Sequence, residues 1–243
     1  MTVKIDTHIH SAHSADSRMT LSEILNTAQA KGLNGVAVCD HERVFLDEIP
    51  AHEVQVIRGG EFATEYGHLI GLFLTREVVR GDFKTLCEEI HAQGGIAVLA
   101  HPFQHTTFLD KLADTVPYID GVEVFNSRAG RKDRSANQKA YAFAKEHHLL
   151  FFGGSDAHFP QEIGNAYLET ECRGDLKEAL LSGKGTVFGM HSPAVFAAKS
   201  VGISGQKNGK KKPLRQAAFY LKCLLEDGLR KKEKSYVTYR QDR

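Results

Sequence analysis

The sequence predicts an α/β protein built on a parallel sheet, either open or closed into a barrel. Short apolar runs bounded by glycine or proline alternate with stretches of helical periodicity along residues 1–200. The chain has 243 residues, of which 42% are hydrophobic and 25% charged. This composition suits one globular domain with a sizeable core and excludes a disordered chain.

The first half of the chain begins with an apolar strand at residues 3–8, followed by a helix at 21–31 that starts after Ser and Thr. Continuous apolar runs then predict buried strands, since both faces of a parallel sheet are covered. A helix at 84–93 ends at Gly94 and Gly95. The predicted strands of this half lie at residues 3–8, 35–39, 53–57, 69–74 and 96–100.

The second half repeats the alternation of strand and helix. Strands are predicted at 121–125, 149–152 and 186–188, with helices at 132–147 and 176–181. Gly153 and Gly154 are read as a tight turn that breaks the seventh strand.

The C-terminal 43 residues differ from the rest in charge. They carry 12 Lys and Arg against 4 Asp and Glu, whereas residues 1–200 have 19 against 26. The Gly- and Lys-rich stretch 201–213 predicts a linker, and apolar residues at 217, 218, 221, 224 and 225 predict a helix. The domains expected are therefore a barrel at 1–200, the linker, and a basic helix and tail at 214–243.

This basic tail has two interpretations. Its cations could attract nucleic acid or another polyanion. The simpler interpretation, which we favour, is a solubilising linker and a helix packed on the barrel. Under both, deletion of residues 207–243 should leave hydrolysis of a small substrate intact while the barrel stays folded, because the predicted metal ligands all lie at or before residue 158. The cations concerned are Lys207, Lys210, Lys211, Lys212 and Arg215.

The sequence predicts a cytoplasmic protein. No apolar run approaches the ~20 residues that span a bilayer, and the N-terminus lacks an apolar signal core. The four cysteines, Cys39, Cys87, Cys172 and Cys223, are too widely spaced for a metal motif and are expected to be reduced thiols. No membrane contact and no obligate protein partner are evident.

Histidines and carboxylates recur at or just beyond the ends of predicted strands. In a parallel barrel these ends converge on one face, so the side chains should form one cluster. A single histidine at a strand end is more often a hydrogen-bonded structural residue, but so many at strand ends favour metal ligation. The predicted cluster is His8, His10, Asp16, His41, Glu61, His68, His101, Asp156 and His158.

Imidazole and carboxylate are ligands for Zn²⁺, Mn²⁺ and Fe²⁺. Nine such residues exceed what one ion can coordinate, so we expect two or three divalent ions, with Glu61 as a bridging carboxylate. Multi-metal centres with ions about 3.5–4 Å apart are the usual apparatus of phosphate-ester hydrolysis.

Six segments together resemble the motifs of the PHP (polymerase and histidinol phosphatase) superfamily. Their order and spacing match over about residues 4–190, although Cys39 stands where threonine is usual. The segments are DTHIHSAHSAD at 6–16, CDH at 39–41, GEFAT at 60–64, GHLIG at 67–71, AHP at 100–102 and GSDAH at 154–158.

The resemblance implies a distorted (β/α)7 TIM-like barrel, here with a short basic C-terminal helical extension, and a trinuclear centre of Mn, Zn or Fe. It also implies how the ligands are shared. One ion would be held by His8, His10, Glu61 and Asp156, a second by Glu61, His68 and His101, and a third by Asp16, His41 and His158.

The favoured function is hydrolysis of a phosphomonoester, nucleotide or short oligonucleotide. Asp156 or His158 would assist proton transfer, and Arg128 would bind phosphate, unless it is simply a solvated surface residue. Asn126 could reach the same mouth, and Glu123 could orient a ligand histidine or be a surface acid. The alternatives are an amidohydrolase-like enzyme on the same scaffold and a non-catalytic, metal-stabilised binding module.

The remaining histidines are expected not to bind metal. Among them His105 lies close enough to His101 in the sequence to be checked. The others are His13, His52, His91, His147, His148 and His191.

Overall fold

The computed structural model describes residues 1–104, 109–131, 133–209, 213–230 and 236–242. Its strands are β1 (Thr2–Ile9), β2 (Gly35–Val38), β3 (Gln55–Thr64), β4 (Gly67–Leu72), β5 (Ile96–Ala100), β6 (Gly121–Asn126), β7 (Leu150–Gly154), β8 (Ala166–Glu171), β9 (Lys184–Gly189) and β10 (Val237–Asp242). Its α-helices are α1 (Leu21–Ala30), α2 (Phe83–Ala92), α3 (Ala136–Glu146), α4 (Leu176–Leu181), α5 (Ala194–Lys207) and α6 (Pro213–Arg230). Short 3₁₀ helices cover Leu109–Tyr118, Ala129–Arg131 and Pro160–Glu162.

The described strands form one sheet in the order β10-β9-β8-β1-β2-β3-β4-β5-β6-β7. The sheet curls until β1 meets the end of β7 and the segment after it. Thr7 Oγ1 donates to the Gly153 carbonyl at 3.1 Å, and the Asp156 N–H donates to the His8 carbonyl at 2.8 Å. The result is a nearly closed α/β barrel, which confirms the predicted fold class.

The sheet is mixed, whereas the sequence predicted a parallel one. β1, β2 and β3 are parallel, as are β5, β6 and β7, but β4 is antiparallel to both of its neighbours. β3 continues through Gly59 and Gly60, beyond the predicted strand end at residue 57, so Glu61 lies within the strand. Gly60 allows the strand to continue, because a Cβ there would lie 2.5 Å from the Arg43 carbonyl oxygen.

Gly153 and Gly154 also lie within a strand, β7, so the predicted turn there is wrong. Glycine is needed at both positions because neighbouring atoms leave no room for a Cβ. A Cβ on Gly153 would lie 2.4 Å from Val187 Cγ1. These glycines mark close packing inside the barrel.

Local signals explain where the outer helices begin. Thr20 and Glu23 form a capping box at the start of α1, and the Asp82 side chain accepts from the Thr85 N–H at 2.9 Å at the start of α2. Both helices bury one apolar face against the sheet, with Ile24 and Ile90 fully buried. Burial of each such side chain contributes about 1.5–3 kcal/mol. This packing fixes the strands whose ends carry the polar cluster.

The C-terminal segment differs from its predicted organisation. Residues 201–207 belong to helix α5 and are not an irregular linker. Val237–Asp242 forms a strand, β10, antiparallel to β9. The division of the chain into a barrel, a linker and a tail remains a prediction.

Helix α6 packs with the face opposite to the predicted one. Phe219 and Cys223 pack against α5, and Asp227 accepts from backbone N–H groups at its start. The apolar stripe that includes Leu221 and Leu225 faces solvent, with those residues 60% and 65% exposed. The spacing of the apolar residues predicted the helix correctly but not the face that packs. Phe219, Cys223 and Asp227 suffice for close contact with α5, so the more apolar face of α6 stays exposed.

The four cysteine side chains are all buried. None of the helices in the described ranges is both long and apolar enough to cross a membrane.

Candidate metal centre

The barrel brings all nine predicted cluster residues to one mouth. His8 and His10 leave the end of β1, and Asp156 and His158 follow β7, which lies beside β1. The antiparallel β3–β4 hairpin and β5 supply the opposite wall. From these elements come Glu61, His68 and His101.

Glu61 lies at the centre of the cluster. Its Oε1 is 2.8 Å from His68 Nδ1 and 3.0 Å from His101 Nε2. Its other oxygen, Oε2, is 2.7 Å from His41 Nδ1 and 3.7 Å from His8 Nε2. One carboxylate thus faces different groups of histidines with its two oxygens, which is the arrangement that a bridging ligand requires.

His8 and His10 present their Nε2 atoms to each other at 3.0 Å. On their far sides His8 Nδ1 lies 3.0 Å from Glu123 Oε1, and His10 Nδ1 lies 3.1 Å from Ser14 Oγ. Ser14 Oγ in turn donates to Asp40 Oδ1 at 2.6 Å, so its lone pair is available to the His10 N–H. Both rings thus direct Nδ1 to a hydrogen-bond partner and Nε2 to one shared point.

Asp16, His41 and His158 form the outer part of the cluster. Asp16 Oδ2 is 3.0 Å from His158 Nε2, and Asp16 Oδ1 is 3.5 Å from His41 Nε2. The His158 Nδ1–H donates to the backbone carbonyl of Asp156 at 2.8 Å, so its Nε2 is also turned to the mouth. The His41 and Asp16 side chains are partly exposed at the cavity.

The electrostatics favour ionised carboxylates in this buried place. Burial opposes the charge of Glu61, but the neighbouring His8 and His101 hold its pKa well below the usual range. The pKa of Asp156 is likewise held well below its usual range, against burial, by His8 and His10. Burial and the nearby His158 and His41 lower the pKa of His10 to about 3, so this ring is neutral. The same carboxylates raise the pKa of His8, His41 and His101, so a metal ion that binds these rings would displace their protons.

Divalent cations fit the donor atoms that the site presents. Glu61 Oε2, Asp16 Oδ1 and His158 Nε2 are buried and make no hydrogen bond of proper geometry within the described residues. Buried polar atoms without partners cost about 1–3 kcal/mol each, so three at one place call for a ligand. Three groups of potential ligand atoms each lie within 4.8 Å of one another: His8–His10–Asp156, His8–Glu61–His101 and His10–His41–His158.

Two of the cluster residues hold a strained backbone. His101 and Asp156 have φ angles of +28° and +53°, in the region that residues other than glycine rarely adopt. Each is fixed by a backbone hydrogen bond, from the His101 N–H to Glu123 Oε2 at 3.0 Å and from the Asp156 N–H to the His8 carbonyl at 2.8 Å. Such strain concentrates at functional sites because the surrounding structure must enforce it.

Glu123 and Asn126 form hydrogen bonds with residues of the cluster. Glu123 is 1% exposed and contacts both the His8 ring and the His101 backbone, so it is not a surface acid but holds these two residues in place. The Asn126 amide donates to Glu123 Oε2 at 3.0 Å and to Asp156 Oδ2 at 3.3 Å. It is buried and does not reach the mouth as the sequence had suggested.

The predicted phosphate ligand Arg128 is neither a free nor a solvated residue. Its Nε and Nη2 donate to the two carboxylate oxygens of buried Glu162 at 2.8 and 2.6 Å. Its guanidinium also donates to Ser200 Oγ of α5 at 3.2 Å. Arg128 lines the cavity but serves as a link between the barrel and α5.

The other histidines among the described residues lie outside the cluster. His13 Nε2 lies 2.7 Å from Asp47, and His91 Nε2 lies 2.9 Å from Asp120. His105 lies outside the described residues.

A cavity of about 680 Å³ lies over the cluster. One wall is the barrel mouth, and the other is formed by helices α5 and α6. The helices contribute Ala197, Ser200, Val201, Ser204, Gly205, Arg215, Gln216 and Phe219. The sequence analysis did not foresee this wall, because nothing in the local pattern of the tail indicates where its helices dock.

Gly154 allows β7 to lie against His8, and its replacement gives a first testable prediction. A Cβ at this position would lie 2.3 Å from His8 Cβ and 2.6 Å from Glu123 Oε1. We expect Gly154→Ala to lower the free energy of unfolding by about 1–3 kcal/mol and to weaken metal binding. Gly202→Ala, which meets no atom within 4 Å, is the matched control. Equal stability and equal metal content in the two variants would contradict this packing.

The fold and the cluster define a barrel protein with a histidine- and carboxylate-lined centre suited to divalent metals. Residues 134–184 match a family model described as PHP-associated. An uncharacterised protein of Methanocaldococcus jannaschii is 33% identical over 175 residues, which cover 69% of this chain and 70% of that protein.

Two solved structures share the fold. One is a two-domain protein from Bacteroides vulgatus containing a PHP-like metal-dependent phosphoesterase, with a TM-score of 0.61 and 18% identity over 83% of this chain and 70% of that one. The other is the lesion-specific endonuclease EndoQ of Pyrococcus furiosus, with a TM-score of 0.57 and 22% identity over 75% of this chain and 56% of that one. The chain belongs to the PHP superfamily.

Proposed function

We propose that this chain is a metal-dependent phosphoesterase that hydrolyses a phosphomonoester of a small molecule, nucleotide or short oligonucleotide. The observation that carries the proposal is the convergence of six histidines and three carboxylates beneath an open cavity, with Glu61 facing two groups of histidines. Membership of the PHP superfamily supports the same chemistry.

The ligands are proposed to hold two or three divalent ions. His8, His10 and Asp156 would hold one, with Glu61 Oε2 3.6 Å from His10 Nε2. Glu61 Oε1, His68 and His101 would hold the second, and Asp16, His41 and His158 the third. When bound, such ions lower the pKa of water and stabilise the charge that develops on phosphoryl oxygens.

The protein groups have separate roles in this proposal. Asp156 is ionised at neutral pH because its pKa is depressed, so it suits a ligand or a proton acceptor and not a proton donor. With two ions bound, His158 Nε2, 3.0 Å from Asp16 Oδ2, is our candidate for proton transfer to the leaving group, whereas with three ions bound it is a ligand. Glu162 and Ser200 engage both edges of the Arg128 guanidinium, so contact between Arg128 and phosphate would require one of these hydrogen bonds to open.

The proposed function is tested with Mn²⁺-loaded protein and chromogenic esters. We expect turnover of p-nitrophenyl phosphate, and loss of that turnover after chelation with recovery on return of Mn²⁺. Preferential cleavage of an amide substrate would favour the amidohydrolase-like alternative. Stoichiometric metal without hydrolysis of a broad panel of phosphomonoesters, nucleotides and oligonucleotides would favour the binding module and contradict the proposal.

A further inference from the structure

The cavity over the metal cluster contains two guanidinium groups in opposite situations. Arg128, from the barrel, is engaged by both oxygens of Glu162. Arg215, from α6, lines the same cavity and forms no hydrogen bond or ion pair with a carboxylate among the described residues. A cation left without a carboxylate at the wall of a binding cavity is available to a ligand.

We propose that α5 and α6 build a second anion subsite, and that Arg215 recognises a negatively charged group on the substrate at the end remote from the reacting phosphate. This inference rests on the proposed function and names its substrate class. The substrate is a small phosphomonoester that carries a second anionic group, such as a carboxylate or another phosphate. Arginine suits this role because its fork of N–H donors matches both anions.

The wall that holds Arg215 is fixed to the barrel at several points. Arg128 donates to Ser200 of α5, and the Lys207 ammonium donates to backbone carbonyls of the loop that carries Asp16. On α6, Asp227 binds the start of α5. The helix that carries Arg215 is therefore held over the cluster, and the Arg215 side chain is exposed at the cavity wall.

The remaining lining limits what lies between the two anions. Phe219 stands one helical turn after Arg215, and Val201 and Ala197 lie on α5 beside it. These side chains offer an apolar surface, whereas the barrel side of the cavity is polar. The cavity volume of about 680 Å³ is in the range that encloses a small-molecule ligand. The substrate should thus have an anion at each end and a less polar middle.

Binding of compounds that cannot be hydrolysed tests the subsite without relying on turnover. The probes are ω-phosphonocarboxylates with three to six carbons and alkylphosphonates of the same lengths, titrated by calorimetry into the Mn²⁺-loaded, full-length protein. For at least one length we expect the carboxylate to tighten binding about tenfold, the gain of one charge-assisted hydrogen bond. Arg215→Gln should abolish that gain and leave the affinity for the alkylphosphonate within about twofold.

Two further variants keep this test specific. Lys222→Gln removes a positive charge from an exposed position of α6 that does not line the cavity, and it should keep the full gain. Arg215→Lys should keep part of it. A gain that survives Arg215→Gln, or no gain at any length in the wild type, would overturn the subsite. Specific binding without hydrolysis of any phosphomonoester would instead overturn the proposed function and leave the subsite standing.

Discussion

Replacing Glu61 by glutamine is expected to remove at least one metal ion and to lower phosphomonoester turnover by more than a hundredfold. The carboxylate faces His68 and His101 with one oxygen and His41 and His8 with the other, so it is placed to bridge two ions. An amide bridges two cations poorly, because its nitrogen has no lone pair to offer. Mutation of residues that orient metal ligands typically lowers metal affinity or activity 10–100-fold, and loss of a bridging ligand should have a larger effect.

The Glu61→Gln experiment needs metal analysis and kinetics on the same samples. Glu88→Gln, an identical change at an exposed residue of α2, is the matched control and should keep full metal content and turnover. The circular dichroism spectrum and the cooperative unfolding of Glu61→Gln should persist, because the barrel core does not depend on this side chain. A variant with full metal content and unchanged turnover would show that Glu61 does not bridge.

Lys207→Met is expected to lower turnover about tenfold and to lower the affinity for the metal ion that Asp16 is proposed to bind. The Lys207 ammonium donates to the carbonyls of Ala12, Ser14 and Ser17 at 3.0, 2.7 and 2.9 Å. Hydrogen bonds to a charged group contribute about 1.5–3 kcal/mol to stability when they are buried. The hydrogen bonds of Lys207 contribute less, because they are partly exposed. Their loss should free the loop that carries Asp16.

This expectation replaces the one drawn from the sequence alone. There the favoured interpretation was a solubilising linker and a packed helix, and deletion of residues 207–243 was expected to leave small-substrate hydrolysis intact. The deletion would also remove Arg215 and strand β10, so the single substitution is the cleaner test.

Lys222→Met on the outer face of α6 is the control for Lys207→Met and should leave turnover unchanged. The thiol of Cys223, fully buried between α6 and α5, gives a readout independent of activity. If Lys207→Met loosens α5, Cys223 should react faster with a thiol reagent than in the control. Wild-type turnover, metal affinity and thiol reactivity together would contradict a role for Lys207 in the site.

The barrel and the cluster could be predicted because their signals are local. A histidine or carboxylate directly after an apolar run marks a strand end, and a barrel sends such ends to one mouth. The position of Glu61 at the centre of the cluster was expected for this reason, although its strand continues through it and pairs in the antiparallel sense with β4. Although this antiparallel pairing was not predicted, it leaves Glu61 at the barrel mouth.

The second wall of the cavity could not be predicted, because it depends on contacts between segments far apart in sequence. Lys207 binds carbonyls about 190 positions away, and Arg128 reaches Ser200. Carbonyl oxygens are present in every residue, so no sequence pattern marks them as partners. The face of α6 that docks is also less apolar than the face left in solvent, which reverses the usual inference from periodicity.

Anomalous diffraction from Mn²⁺-soaked crystals, recorded on both sides of the manganese absorption edge, tests the central claim most directly. We expect two or three manganese peaks at the barrel mouth, with two of them within coordination distance of different oxygens of Glu61. The same crystals of Glu61→Gln should lack at least one peak. Manganese peaks elsewhere on the protein, or none beside His8, His101 and Glu61, would contradict a multinuclear metal centre in this cluster.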